Sequence, residues 1–424
     1  MVNTVCIFED QQYRNLLPLV YTRPVYDLRC GISTLRQKIE RLYLNSEVAL
    51  HCRRYLAEFL KLENPKHDVN RVADKGCLYI NGRLLADAES AKQLTLDGKD
   101  AVYVHGDTLV AARLNNGAGR ALGAAIPEVL ERGHFKDLPA IEIKVNMISY
   151  PWNLISSNGA EIVADVAALA SAGGQRIKGI VYDGAHLVNR EQIVIGQGTK
   201  VKPGVVLDAE NGPIYIGSNA TIFPNAVIEG PAFIGNRTLI KVGAKIYENT
   251  SIGEVCKIGG EVEASIIHSH SNKQHDGFLG HAYLGKWVNL GADTNNSDLK
   301  NNYGNVKVYI DGRQVDSGSM FVGLIMGDHS KSSINSMFNT GTVVGVSSNV
   351  FGSGFPPKFV PSFSWGGRDN LATYDPAKAL EVATRVMARR KMELPSVERQ
   401  VLMTVFDLTK SERASFAERM QTKD

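Results

Sequence analysis

Cysteine is scarce in this 424-residue chain: Cys6, Cys30, Cys52, Cys77 and Cys256 are scattered, odd in number and without a CxxC pair. That pattern excludes a disulfide framework and a thiolate zinc site, and a reduced, cytoplasmic protein is the expectation. No run of about 20 apolar residues is present, so no membrane span is expected. The opening stretch carries Glu9 and Asp10 and no basic flank before a long apolar run, so no signal peptide is expected. Excess charge is lacking too. The net charge is only +3 and the basic residues are dispersed, whereas a nucleic-acid binder concentrates them in a stripe. The length points to two or more domains.

What is present is a six-residue beat. Ile216, Ile222, Ile228, Ile234, Ile240, Ile246, Ile252 and Ile258 fall in one phase, and glycine follows four of them at Gly217, Gly235, Gly253 and Gly259. Six fits neither a helix of 3.6 residues per turn nor a strand alternation of two. It fits a parallel β-helix, in which each hexad supplies a short strand and a corner and three hexads close one triangular coil. The β-branched residue then points inward and stacks on its equivalent one coil away.

Around that ladder the chain divides into four parts. Residues 1–150 read as α/β, with strands expected at 5–8, 48–51, 78–81 and 101–105. Helices are expected at 33–44 (Ser33 as N-cap), 54–62 and 126–132. This alternation suggests a parallel sheet covered by helices. Residues 151–190 read as a helical connector. Residues 191–368 read as the solenoid, with Ile195, Val201 and Leu207 before the long ladder and Phe278, Leu284 and Leu290 in phase after it. A polar excursion over 293–318 is longer than loops without a task usually are. Residues 369–424 read as a helical tail that caps the open end of the stack.

One stretch narrows the function. Lys273-Gln274-His275-Asp276-Gly277-Phe278-Leu279-Gly280-His281-Ala282-Tyr283-Leu284-Gly285, followed by Val288-Asn289-Leu290-Gly291-Ala292, resembles a known acetyltransferase half. It is that of the bifunctional glucosamine-1-phosphate acetyltransferase and N-acetylglucosamine-1-phosphate uridylyltransferase family, where a histidine precedes "YLG" and "VNIGAG" at the same spacings. The chain as a whole looks like a divergent branch of that family. The resemblance implies an α/β nucleotidyltransferase-like domain followed by a left-handed parallel β-helix and a homotrimeric assembly. It also implies acetyl-CoA as donor and N-acetylation of an amino-sugar 1-phosphate, with UTP and Mg²⁺ for uridylyl transfer by the first domain.

Carried over residue by residue, the resemblance makes His275 the catalytic base, a role that suits an imidazole titrating near neutrality. It puts Asn289 and Lys241 at the sugar and its phosphate, and Asn302 and Tyr303 at acetyl-CoA. Ala292 sits where a backbone amide could face the thioester oxygen. A solvated structural role is the competing reading for each. His268, His270, His281 and His329 leave a metal-binding solenoid open as a rival. The N-terminal half departs further. Gln11 and Tyr13 stand where a phosphate-cradling loop has glycines, and Gly82-Arg83 stands where a metal-binding Gly-Asp is expected, an arginine being no Mg²⁺ ligand. Asp107 is the substitute candidate for metal, and Arg14, Arg23 and Lys38 are the candidates for nucleotide phosphates. A rebuilt transfer site and a binding or assembly domain that only uses the β-helix to trimerise both remain open.

Overall fold

The computed structural model describes residues 2–71, 76–115, 122, 126–170 and 175–421. The chain forms two compact units. One comprises Met1–Leu28, Ser33–Tyr150 and Ser396–Val401, the other Arg29–Ile32, Pro151–Pro395 and Leu402–Asp424.

The first unit is built on a seven-stranded sheet. Its order is Asp68–Val69, Glu47–Leu50, Thr4–Phe8, Cys77–Asn81, Thr108–Leu114, Ala101–His105 and Ala140–Glu142. The apolar runs expected as strands are strands, and Val5, Ile7, Leu78 and Ile80 are fully buried. The sheet is mixed, not all parallel: Thr108–Leu114 runs antiparallel to both neighbours because a tight Gly106-Asp107 turn folds it back on Ala101–His105. A hairpin of that length cannot hold the crossover a parallel pair needs. The first helix is Leu35–Leu42, with Thr34 rather than Ser33 at its N-cap in a reciprocal capping box with Gln37. The helix expected at 126–132 is absent. Its backbone groups are taken by distant partners: Leu130 N donates to Glu9 O (2.9 Å), and Pro127 O meets His51 Nε2 (2.8 Å).

The second unit is a left-handed parallel β-helix of three stacked sheets. Ile216 pairs in register with Ile234, Ile252, Ile267, Leu284, Met326, Val344 and Val360 along one face. All eight isoleucines of the sequence ladder point inward and are at most 1% exposed. Each such burial contributes about 1.5–3 kcal/mol before entropy is counted, so the stack is the main stabiliser of this unit. The first coil begins earlier than residue 191, with strands Ile180–Val181 and His186–Val188 already paired to the next coil. The connector therefore splits into the helix Pro151–Ala170 and an opening coil.

Beyond Ile258 the inward positions depart from the expected phase. The coil from Ile252 to Ile267 is three residues shorter than those before it, two of them lost at the Gly259-Gly260 corner between Ile258 and Val262 and one between Val262 and Ile267. Leu279, not Phe278, then faces inward, and Lys273 takes the ladder position above Ile258.

On the face that carries Ile216, most outward residues are apolar as well, Tyr215, Phe233, Ile266 and Tyr283, with Ser251 between Phe233 and Ile266. Helix Pro151–Ala170 covers part of this face, with Ile162 and Val166 against Phe233 and Tyr215. Gly159 permits the approach, since a Cβ there would lie 1.8 Å from Asn249 Oδ1. Beside it Asn158 donates to Asn249 O (2.7 Å) and accepts from Gly31 N (2.7 Å). At the far end the tail helices close the stack. Phe406 meets Phe363 edge-on, and Arg413 lies over Phe406 while donating to Ser362 O (3.2 Å).

Candidate functional site

The corner between the first and second solenoid sheets gathers three of the residues singled out in the sequence. Lys241 N donates to Ile258 O, Gly259 N to Lys273 O, and Asp293 N to Asp276 O, so Lys241, His275 and Ala292 belong to one column of corners. Adjacent strands lie about 4.8 Å apart, which puts Ala292 one rung and Lys241 two rungs from His275. The His275 ring is exposed, and no hydrogen bond fixes it among the described residues. Ala292 O accepts from Asn335 N (2.8 Å), while its own N–H has no acceptor among the described residues. Lys241 Nζ lies 5.4 Å from the centroid of Phe223. Val242 and Ile334, at the tips of this column, are 64% and 67% exposed. An apolar edge of that kind around a loose imidazole and an open amide can accept an acyl chain or another surface.

Lys273 underlies this corner. Its ammonium is enclosed at an otherwise aliphatic ladder position and donates to Gly259 O and His275 O, both at 3.0 Å. Burial lowers its pKa to about 8, against the opposing pull of Asp276, Glu261 and Asp293. The two glycines of the short corner make this space, for a Cβ on Gly260 would lie 2.6 Å from Lys273 Nζ.

The other solenoid residues lie elsewhere. Asn289 sits on the neighbouring flat face, accepting from Asn272 Nδ2 (3.2 Å), and Asn272 in turn accepts from Arg390 (2.8 Å). Asn302 and Tyr303 belong to the polar excursion. Asn302 accepts from Gly304 N (3.1 Å), and Tyr303 is 69% exposed. The excursion is rooted at a different corner, where Val322 N donates to Asp298 O and Gly323 N to His281 O. That root pairs His281, which the sequence offered only as a possible metal ligand, with Asp298, which it did not single out. His281 Nδ1 lies 2.8 Å from Asp298 Oδ2, and the imidazole stacks on Phe321 at 4.9 Å. Gly280 and Gly323, both off the hexad beat, were the available signal. Among the described residues no group of three His, Cys, Asp or Glu side chains is placed to hold a metal ion. His270 instead packs on Trp287 at 4.4 Å, and burial lowers its pKa to about 4.

In the first unit the loop after Thr4–Phe8 is organised by two buried ion pairs. Glu9 accepts from Arg53 Nε (3.0 Å) and NH2 (3.1 Å) and from Val25 N (2.9 Å). Asp10 accepts from Arg83 Nε (2.8 Å) and NH2 (2.5 Å) and from Asn81 Nδ2 (2.9 Å). Both carboxylates are thus matched by bidentate guanidinium forks rather than left for a cation. Of the nucleotide candidates, Arg14 is exposed, Arg23 is buried and donates to Leu19 O (2.8 Å), and Lys38 is 1% exposed. Asp107 stands exposed in the hairpin turn. These donors do not fit a Mg²⁺ site, which takes oxygen ligands gathered around one point.

The fold defines a class: a mixed α/β unit ahead of a hexapeptide-repeat solenoid. Residues 5–173 match the family described as sugar nucleotidyl transferase. Among curated proteins, the bifunctional protein GlmU of Rippkaea orientalis is 34% identical over 117 residues, 27% of this chain and 24% of that protein. GlmU of Acidithiobacillus ferrooxidans is 28% identical over 248 residues, 50% of this chain and 54% of that protein. The chain thus spans about a quarter to about half the length of the curated relatives it matches. Among solved structures, the Francisella novicida UDP-N-acetylglucosamine acyltransferase gives a TM-score of 0.31 at 16% identity, covering 58% of this chain and 87% of its own. The chain is thus similar to the sugar nucleotidyl transferase family over residues 5–173 and to the GlmU bifunctional proteins over up to about half its length.

Proposed function

We propose that this protein is a cytoplasmic transferase whose solenoid moves an acetyl group from acetyl-CoA to the amine of an amino-sugar 1-phosphate, with glucosamine 1-phosphate as the substrate. The observation that supports this most is the single corner column holding Lys241, His275 and Ala292. In this reading the amine attacks the thioester carbon and His275 takes the proton it sheds. The open amide of Ala292 meets the oxyanion, and the Lys241 ammonium offsets the sugar phosphate charge. Asn289 contacts the sugar, while Asn302 and Tyr303 meet the coenzyme from a second copy in a homotrimer. The exposed Val242 and Ile334 are the surface such a copy would cover. Incubation with acetyl-CoA and glucosamine 1-phosphate, following free thiol, tests the reaction.

For the first unit the buried pairs Glu9–Arg53 and Asp10–Arg83 favour a second reading: it binds a sugar phosphate or nucleotide and does not carry out Mg²⁺-dependent uridylyl transfer. The loop that would cradle phosphates has its negative charges already neutralised from within, and Gln11 N is spent on Glu131 (2.7 Å). Adding UTP and Mg²⁺ to the acetylated product and following pyrophosphate separates the two: release above a no-enzyme control supports transfer, and none supports binding alone.

A further inference from the structure

One cavity of the second unit takes no part in the chemistry proposed above. It lies where helix Pro151–Ala170 ends over the opening coils of the solenoid, and its volume is about 330 Å³. Strand register places its walls. Ile177 bridges Ile195 and packs against the solenoid core, so the residues on either side of it face outward. Arg176 thereby stands beside Val194, which pairs with Tyr215, which in turn pairs with Phe233. Val166 of the helix covers the far end of this row at Tyr215 and Phe233. Leu169, three residues on, lines the cavity and is still 43% exposed.

The two sides of the cavity differ in chemistry. Val166, Leu169, Val194 and the ring of Tyr215 make an apolar floor, and that ring is held against Phe233 at 6.0 Å with 45° between planes. Arg176, Lys178, Gln197 and Ser218 make a polar rim that carries two positive charges, and no carboxylate lines the cavity among the described residues. None of these four side chains, nor the Tyr215 hydroxyl, makes a hydrogen bond or ion pair among the described residues. The buried guanidinium groups of Arg29, Arg53 and Arg83, by contrast, are each matched by a carboxylate. A nearby helix C-terminus favours a cation, which explains one of the two charges. It explains neither the second charge nor the apolar floor beneath them.

We propose that this cavity binds a nucleoside monophosphate, at a site separate from the acetyl-transfer corner and from the first unit. The base lies on the Tyr215 ring and the aliphatic floor, a contact open to any base because every base has a flat face. The phosphate meets the Arg176 fork and the Lys178 ammonium, while Gln197 and Ser218 serve the ribose hydroxyls. The volume stands at the small end of ligand sites, ~300–1,000 Å³, which suits one nucleotide and leaves no room for a molecule as large as coenzyme A.

Isothermal titration of the full chain with UMP and AMP, and with uridine and inorganic phosphate as half-ligands, tests this. Both nucleotides should bind saturably, and each half-ligand at least about tenfold more weakly, since each forfeits one side of the cavity. Arg176→Gln/Lys178→Gln should weaken nucleotide binding by at least about tenfold through the loss of two charge-assisted bonds. Tyr215→Leu keeps an apolar side chain against Phe233 and should weaken it by at least about fivefold through the loss of stacking. Melting temperatures report whether each variant is folded. No saturable binding of either nucleotide by the wild type at about 1 mM overturns the proposal. Unchanged affinity in the folded double variant also overturns it, since the nucleotide then sits elsewhere in the chain and the two cations serve only the helix end. Inorganic phosphate binding as tightly as UMP overturns it too, leaving a plain anion site. Thiol release is not the readout, so failure here leaves the acetyl-transfer reading standing, and failure of that reading leaves this site standing.

Discussion

His281 and Asp298 are seventeen residues apart in sequence, and their 2.8 Å contact exists because the residue between the two side chains, Gly280, has none of its own. Gly280→Ala is expected to push Asp298 away and overpack the corner, at a cost of about 1–3 kcal/mol. Calorimetry should show a lower melting temperature for the variant. An imidazole NMR signal of His281 that is unchanged from wild type would contradict this account of Gly280.

In the first unit, Arg83→Met removes the fork that matches Asp10 and leaves a buried carboxylate with no opposite charge, only the Asn81 amide bond remaining. Breaking such a pair costs about 3–5 kcal/mol, whereas replacing both members is often close to neutral. Urea denaturation of the single variant and of Asp10→Leu/Arg83→Met should therefore show the double variant recovering much of the loss. If Mg²⁺ restored the single variant to wild-type stability, the carboxylate would be a metal ligand after all.

Lys273 carries a pH signature. Its pKa is lowered to about 8 in the folded chain by burial, from an ordinary value near 10.5. Between those values the unfolded chain holds more protons than the folded one, so stability should rise as pH rises through that window. Below pH 8 the cost of the enclosed charge is present in full, on the order of 1–3 kcal/mol. Lys273→Met should flatten this part of the stability curve relative to wild type. Identical slopes for the two proteins from pH 8 to 10 would mean the ammonium is not enclosed.

The ladder from Ile216 to Ile258 was legible because its period, residue type and inward orientation are one physical fact written eight times. The phase was lost between Ile258 and Ile267, where the Gly259-Gly260 corner is two residues shorter than those before it and the next corner one residue shorter. That deletion moves Lys273 inward and Phe278 outward, and nothing in either residue type announces it. Lys241, His275 and Ala292 were picked out by the family resemblance, and the coil brings them to one corner. The partners that orient side chains were harder to read. Arg83 looked wrong for a metal site, but its match to Asp10 lies 73 residues back, across a strand register. Asp298 and Phe321 lie on the outgoing and returning arms of an excursion whose root only the stacked coils define. The helix expected at 126–132 failed for a similar reason, since long-range bonds to Glu9 and His51 outweighed local preference.

The account rests above all on the corner that holds His275. Free thiol released from acetyl-CoA in the presence of glucosamine 1-phosphate measures it most directly, with wild-type protein and His275→Ala side by side. The account predicts steady release by the wild type and a fall of at least about a hundredfold in the variant. No release above the no-enzyme control, or equal release from both proteins, would contradict it.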